Sequence, residues 1–264
     1  MKRIHIVGCS PRSGTTLLAE TMIACFDIDL YEKHEASIFQ RPAKRGEIYL
    51  TKRPRDICVA RQALWLNPEL FIIFMLRDPR DVICSKHGQD PDRYWAGLNI
   101  WNLYCRYERR LRRHERFITI RYEDLVREPD KVQKMLMDKM PFLVRRRSFS
   151  QFHRFASPSQ ESLTALGGLR AINADRIGTW KNHLPRVAGQ ISLHRFVGLP
   201  DLLIQYGYEE NTDWLNTLKD VIPDTTPSHW PDQIRRMNII MRRHDIAGLT
   251  KMVFQRVARA FQKP

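Results

Sequence analysis

Acidic residues are scarce in this chain: 29 Asp and Glu stand against 44 Lys and Arg, a formal net charge of +15 over 264 residues. Such a surplus calls for an anionic partner or a strongly polarised surface, and nucleic acid, anionic lipid or polysaccharide, and a phosphorylated donor all qualify. No RNP-like, zinc-finger or helix-turn-helix pattern accompanies the basic runs "RYERRLRRHER" at 106–116, "RRR" at 145–147 or the last thirty residues. Nucleic acid therefore has charge in its favour and no module, and each run reads by default as a solvated helix face. Long apolar runs are missing as well. The longest is "LFIIFML" at 70–76, far short of a membrane span. Cysteine is thin and unpatterned: Cys9, Cys25, Cys58, Cys84 and Cys105 are odd in number, contain no CxxC pair and have no histidine cluster nearby. That fits reduced thiols in a reducing compartment better than a disulfide framework or a zinc site. A strand pattern begins within the first few residues, leaving no room for a signal peptide, so a cytoplasmic protein is expected.

With 43% of its residues hydrophobic, the chain can bury a sizeable core, and its length fits one large α/β domain better than two. Extended and helical patterns alternate over the first 140 residues. "RIHIV", "EIYLT", "LFIIFML" and "FITIRY" read as strands, and "TTLLAETMIACF" and "DKVQKMLMDKM" as helices. This alternation predicts a mostly parallel central sheet flanked by helices, a three-layer fold. A long helix is expected over roughly Tyr94–His114, where Leu98, Trp101 and Cys105 recur three and four apart. Beyond Ser148 the pattern weakens, and "PSQESLTALGGLRA" reads as a mobile loop. The main domain is placed at 1–215, with a helical extension at 216–264 packed on it.

Ligands of such sheets bind beyond the C-terminal ends of the strands. After "RIHIV" comes "GCSPRSGTT", 8–16, a turn of small residues leading into a helix. That is a phosphate cradle, because backbone amides at a helix N-terminus converge on an anion and the helix dipole favours negative charge. A Walker loop would place Gly-Lys where this one has Ser13-Gly14. The cation comes early instead, at Arg12, with Ser13, Gly14, Thr15 and Thr16 supplying hydroxyls and close backbone approach. The alternative is a tight strand-to-helix turn with Thr15 and Thr16 in the first helical turn. After "EIYL" comes Lys52, at the sheet mouth or simply exposed. After "LFIIFML" comes "RDPRDVICS", where Asp78 can cap a helix with Pro79 at its first position. Arg77 and Ser85 beside that helix would suit a second, separate phosphate. After "FITI" comes Tyr122, available to stack on a base or ring.

"SPRSGTTLL", "FMLRDPRDVICS", "RYEDL" and "RIGTWKNHL", in that order, resemble the sulfotransferases that use 3′-phosphoadenosine 5′-phosphosulfate (PAPS) as donor, over roughly residues 4–185. PAPS carries a 5′-phosphosulfate and a 3′-phosphate on one nucleoside, which accounts for two separate phosphate motifs; its product is adenosine 3′,5′-bisphosphate. The resemblance implies a P-loop-type fold with residues 1–215 as the PAPS-binding domain. It also implies that Arg12, Ser13, Gly14, Thr15 and Thr16 hold the 5′-phosphosulfate, with Arg12 in place of the lysine often found there. Arg77 and Ser85 would take the 3′-phosphate, Tyr122 would contact adenine, and Arg176, Gly178, Trp180 and Lys181 would belong to a late loop closing over the nucleotide. Trp180 could equally be a buried anchor for that loop.

Sulfuryl transfer needs a deprotonated nucleophile and cations where charge builds on the leaving oxygen. Arg12 and Lys52 are the candidate cations, and no acidic cluster of metal-site spacing accompanies the motifs, so no metal is expected. "YEKHEASIF" at 31–39 lies about where carbohydrate-modifying members of the family resemble one another in a Glu followed by aromatics. Glu35 is the candidate base, with His34 and His87 as rivals; a carboxylate suits a sugar hydroxyl if burial raises its pKa. Small-phenol enzymes of the family usually carry a lysine-threonine-histidine stretch where this chain has "TKRPRD", which favours a carbohydrate or glycolipid acceptor. The other classes weighed are a P-loop nucleotide kinase or GTPase and a basic protein binding nucleic acid or a membrane surface. In "LTKMVFQRVARAFQKP", Leu249, Met252, Val253, Val257, Ala260 and Phe261 share one helical side opposite Lys251, Arg256, Arg259 and Lys263. That stretch would either pack on the domain or lie peripherally on an anionic membrane.

Overall fold

The computed structural model describes residues 1–87, 90–194, 198–229 and Thr250. Strands β1 (Lys2–Gly8), β2 (Leu30–Tyr31), β3 (Ile48–Lys52), β4 (Leu70–Leu76) and β7 (Phe117–Arg121) form one sheet in the order β2-β3-β1-β4-β7. Every pairing in it is parallel. Parallel strands covered on both faces need apolar residues on both sides, and β1 and β4 supply them. Ile4 and Ile6 enter one core while Val7 and Cys9 enter the other; Ile73 and Met75 divide from Ile72, Phe74 and Leu76 in the same way.

The first of these cores is covered by α1 (Thr15–Cys25), α5 (Tyr122–Arg127) and α6 (Pro129–Lys139). The second lies under α2 (Ala60–Leu66), α3 (Pro79–Ile83), α4 (Leu98–Leu111), α8 (Leu184–His194) and α9 (Leu199–Gln205). The three-layer α/β arrangement is thus the one the alternating pattern predicts. A short antiparallel pair, β5 (Lys86–His87) and β6 (Asp90–Tyr94), leads from α3 to α4. Among the described residues, no helix is long and apolar enough to cross a membrane. All five cysteines are buried, and none forms a disulfide.

Two elements differ from the sequence expectation. The long helix begins at Leu98, because Gly97 is extended (φ −109°, ψ 173°) and Tyr94 closes β6; the aromatic pair Tyr94-Trp95 extends the helical spacing only on paper. The stretch expected to be a loop contains α7 (Gln160–Leu166). Ser159 caps it by accepting from the Ser162 amide at 3.3 Å, and Gly167 (φ 71°) ends it, with the Gly168 amide closing on the Leu163 carbonyl at 3.0 Å. A serine cap and a left-handed glycine stop are ordinary helix boundaries, and the Gly-Gly pair marks the end of this element.

A 3-10 segment, Asp213–Leu218, runs across the 215/216 boundary. The described chain beyond it is tied to α8: the Asp224 amide donates to the Pro185 carbonyl, and buried Arg186 donates to the Thr226 carbonyl and the Ser228 hydroxyl at 2.7 and 2.6 Å. The amphipathic stretch from Leu249 to Lys263 lies outside the described residues, apart from Thr250.

Candidate functional site

The loop after β1 is built around two glycines. A Cβ on Gly8 would stand 2.1 Å from the Ser13 hydroxyl, so Ser13 can tuck under the loop only because position 8 has no side chain. Gly14 is left-handed (φ 94°), and a Cβ there would reach the Tyr122 ring at 2.6 Å. The loop therefore sits directly on Tyr122, the first residue of α5. Arg12 itself holds φ 73°, an uncommon conformation for a residue with a side chain, and this turn aims its guanidinium across the sheet end.

Arg77 follows β4 and threads behind the same loop. Its Nη1 donates to the Arg12 carbonyl at 3.0 Å, its Nη2 to the Arg176 carbonyl at 2.8 Å, and its guanidinium lies 4.3 Å over the Tyr122 ring. Arg12 donates from Nε to the Ser85 hydroxyl at 3.2 Å and from Nη1 to the Ala165 carbonyl, at the end of α7, at 3.4 Å. Among the described residues none of Arg12, Arg77 and Arg176 forms a salt bridge with a carboxylate. Burial, with repulsion from Arg77 and Arg176 added to it, lowers the Arg12 guanidinium to about 10. Three buried polar atoms here, the Ser10 and Ser13 hydroxyl oxygens and Arg77 Nε, find no hydrogen-bond partner among the described residues. Convergent guanidiniums beside buried polar atoms without a protein partner are an arrangement suited to an anionic ligand.

These groups open on a cleft of about 410 Å³, within the usual range for small-molecule sites. Of the residues singled out from the sequence, Arg12, Gly14, Thr15, Thr16, His34, Glu35, Lys52, Arg77, Tyr122 and Arg176 line it. Ser13 lies buried beneath the loop, and Ser85 touches Arg12. Lys52 is buried at the end of β3. Burial lowers its ammonium pKa while Glu35 and Glu20 pull it back, which puts Glu35 within electrostatic reach of Lys52. Glu35 is exposed, not buried as expected. His34 Nδ1 is 3.4 Å from Glu161 of α7. The side chain of His87 lies outside the described residues.

Gly178, Trp180 and Lys181 are not among the cleft-lining residues. Trp180 is buried, its ring 4.1 Å from the Arg80 guanidinium and edge-on to Trp214 at 6.2 Å, and Lys181 is exposed. Gly178 turns the chain in the left-handed region (φ 73°).

Three features are not expected from the sequence. Asp81 is buried and accepts from the Gly178 amide (2.8 Å), the Thr179 hydroxyl (3.0 Å) and the Trp180 amide (2.9 Å); burial, reinforced by Asp78, pushes its carboxyl up. The only trace of it in the sequence is a second Asp three residues after the capping Asp78. Asp56 accepts from the Ile38 amide and Arg53 Nε, both at 2.7 Å, and lies 3.4 Å from buried His5, fixing the segment that follows Glu35. Trp95 lines the cleft through its place after β6, with its amide on the Ser85 carbonyl and its ring stacked 4.3 Å from His229.

No family model and no curated protein matches the chain. Among solved structures it is similar to the sulfotransferase domain from the Synechococcus PCC 7002 olefin synthase, at 17% identity over 68% of this chain and 87% of that one, with a TM-score of 0.45. It is also similar to the sulfotransferase domain from the curacin biosynthetic pathway, at 16% identity over 67% and 82% of the two chains, with a TM-score of 0.36. At these identities and scores the likeness says nothing about substrate or partner, which the site's own residues must supply.

Proposed function

We propose that the cleft binds PAPS and that the protein transfers its sulfuryl group, in line, to a hydroxyl (or amine) acceptor. The observation that carries this reading is the convergence of Arg12, Arg77 and Arg176 without a carboxylate partner, beside the orphaned Ser13 hydroxyl and Arg77 Nε. A group with two separated anions answers both the charge and the missing hydrogen bonds. In this reading Ser13, Gly14, Thr15 and Thr16 hold the 5′-phosphosulfate with Arg12, and Arg77 and Ser85 hold the 3′-phosphate. Tyr122 forms a wall beneath the nucleotide, and Arg176 closes over it on the loop that runs through Gly178, Trp180 and Lys181.

The donor supplies an activated sulfuryl group: the acceptor oxygen bonds to sulfur as the bond from sulfur to the phosphate-bridging oxygen breaks, that oxygen keeps the electron pair, and the acceptor's proton goes to a base. Arg12 and Lys52 place positive charge where the leaving oxygen gains its negative charge. Glu35, which lines the cleft within electrostatic reach of Lys52, is the proton acceptor in this reading, its exposure leaving the carboxylate open to the acceptor group. Of its rivals, His34 is already directed at Glu161. The acceptor in this reading is a carbohydrate or glycolipid, because "TKRPRD" stands where small-phenol members of the family carry a lysine-threonine-histidine stretch.

Incubation with sulfur-labelled PAPS and a panel of glycans, glycolipids and phenols tests this. Label is expected in a glycan or glycolipid, and its transfer is lost in Arg12→Ala. Transfer only to phenols contradicts the acceptor; label that stays on the nucleotide across the whole panel contradicts sulfuryl transfer.

A further inference from the structure

Arg176 lines the cleft beside two other guanidiniums, yet its own guanidinium makes no hydrogen bond or salt bridge among the described residues. Arg12 and Arg176 repel each other, so the place of Arg176 is set by its backbone. Two contacts do this. Arg77 Nη2 donates to the Arg176 carbonyl at 2.8 Å. Beyond it, Asp81 gathers the next turn, with Oδ2 accepting from the Gly178 amide and Oδ1 from both the Thr179 hydroxyl and the Trp180 amide. Arg77 directly follows β4 and Asp81 lies four residues on, in α3, so one corner carries both a cleft arginine and the carboxylate that fastens the loop bearing another.

We infer that Asp81 is a positioning residue for nucleotide binding, which clasps the 176–180 loop so that Arg176 stays at the cleft. This rests on the reading of the cleft as the PAPS site. Asp81 lies behind the loop and its oxygens are already occupied, so it acts through Arg176 and not on the ligand. Its carboxylate form is required. Asparagine has one carbonyl oxygen for three donors, and its amide would face at least one of them donor to donor.

The test is a calorimetric titration of adenosine 3′,5′-bisphosphate into the wild-type chain, Asp81→Asn, Arg176→Ala and the double variant. Asp81→Asn is expected to weaken binding about 10- to 100-fold, and the double variant to bind no more weakly than Arg176→Ala alone, because the two changes remove one interaction. A role confined to stability would not show that coupling. Thr179→Val removes a single arm of the clasp from a half-buried position and is expected to weaken binding by a smaller factor, which keeps the inference testable if Asp81→Asn does not fold. Wild-type affinity in Asp81→Asn or in a folded Thr179→Val, or losses that multiply in the double variant, would overturn it. Absence of binding by the wild-type chain would instead overturn the PAPS reading on which it rests.

Discussion

Arg77→Ala is expected to lose about 2–4 kcal/mol of affinity for adenosine 3′,5′-bisphosphate, the range for truncating a desolvated, charge-assisted contact. The side chain is buried, two of its nitrogens bridge the Arg12 and Arg176 carbonyls, and Nε is left over with no partner. Truncation therefore removes the charge meant for the ligand and also releases the two backbone segments that carry the other arginines. Arg77→Lys separates these parts. It keeps the charge, but an ammonium on a flexible stem cannot span two carbonyls and stack on Tyr122 as a planar guanidinium does, so it should recover only part of the loss. Titration calorimetry on folded variants reads both effects, and wild-type affinity in Arg77→Ala would remove Arg77 from the site.

Glu35→Gln is expected to lower turnover by about 10²–10⁴ with nucleotide affinity unchanged, the cost of losing a general base while its shape is kept. Glu35 stands in the cleft within reach of the Lys52 charge, and a glutamine there can still accept a hydrogen bond from the acceptor hydroxyl but cannot take its proton. Steady-state rates with saturating donor, compared among Glu35→Gln, His34→Ala and His87→Ala, decide the assignment. If either histidine variant shows the large loss and Glu35→Gln does not, the base is the histidine.

Much of the fold is legible because it is local. "LFIIFML" has no polar residue in seven, and a run that short and that rich in Ile and Phe favours a strand covered on both faces, as β4 is. Asp78 followed by Pro79 announces the start of α3, and the Asp78 carboxylate does accept from the Arg80 amide at 2.8 Å. α7 is misread because only Ser162 of its seven residues is buried, leaving no apolar stripe; its serine cap and glycine stop are there to be read. The start of α4 is misplaced because aromatic spacing outweighs Gly97. The site divides along the same line. The loop from Gly8 to Thr16 is a contiguous pattern, whereas the Asp81 clasp joins residues 97 to 99 positions apart and has no local periodicity to betray it. The exposure of Glu35 is equally hidden, since it depends on how the segment held by Asp56 drapes over β3.

The most direct measurement of whether this cleft is built for two separated anions is a competition titration of three nucleotides against the wild-type chain. Adenosine 3′,5′-bisphosphate is expected to bind one per chain. Adenosine 5′-monophosphate, which has no 3′-phosphate to offer Arg77, is expected to bind more weakly by about tenfold or more, the worth of a charge-assisted hydrogen bond. ATP with magnesium should not displace the bisphosphate. Equal affinity for the bisphosphate and the monophosphate, or tighter binding of ATP with magnesium, would contradict a cleft built for two separated anions.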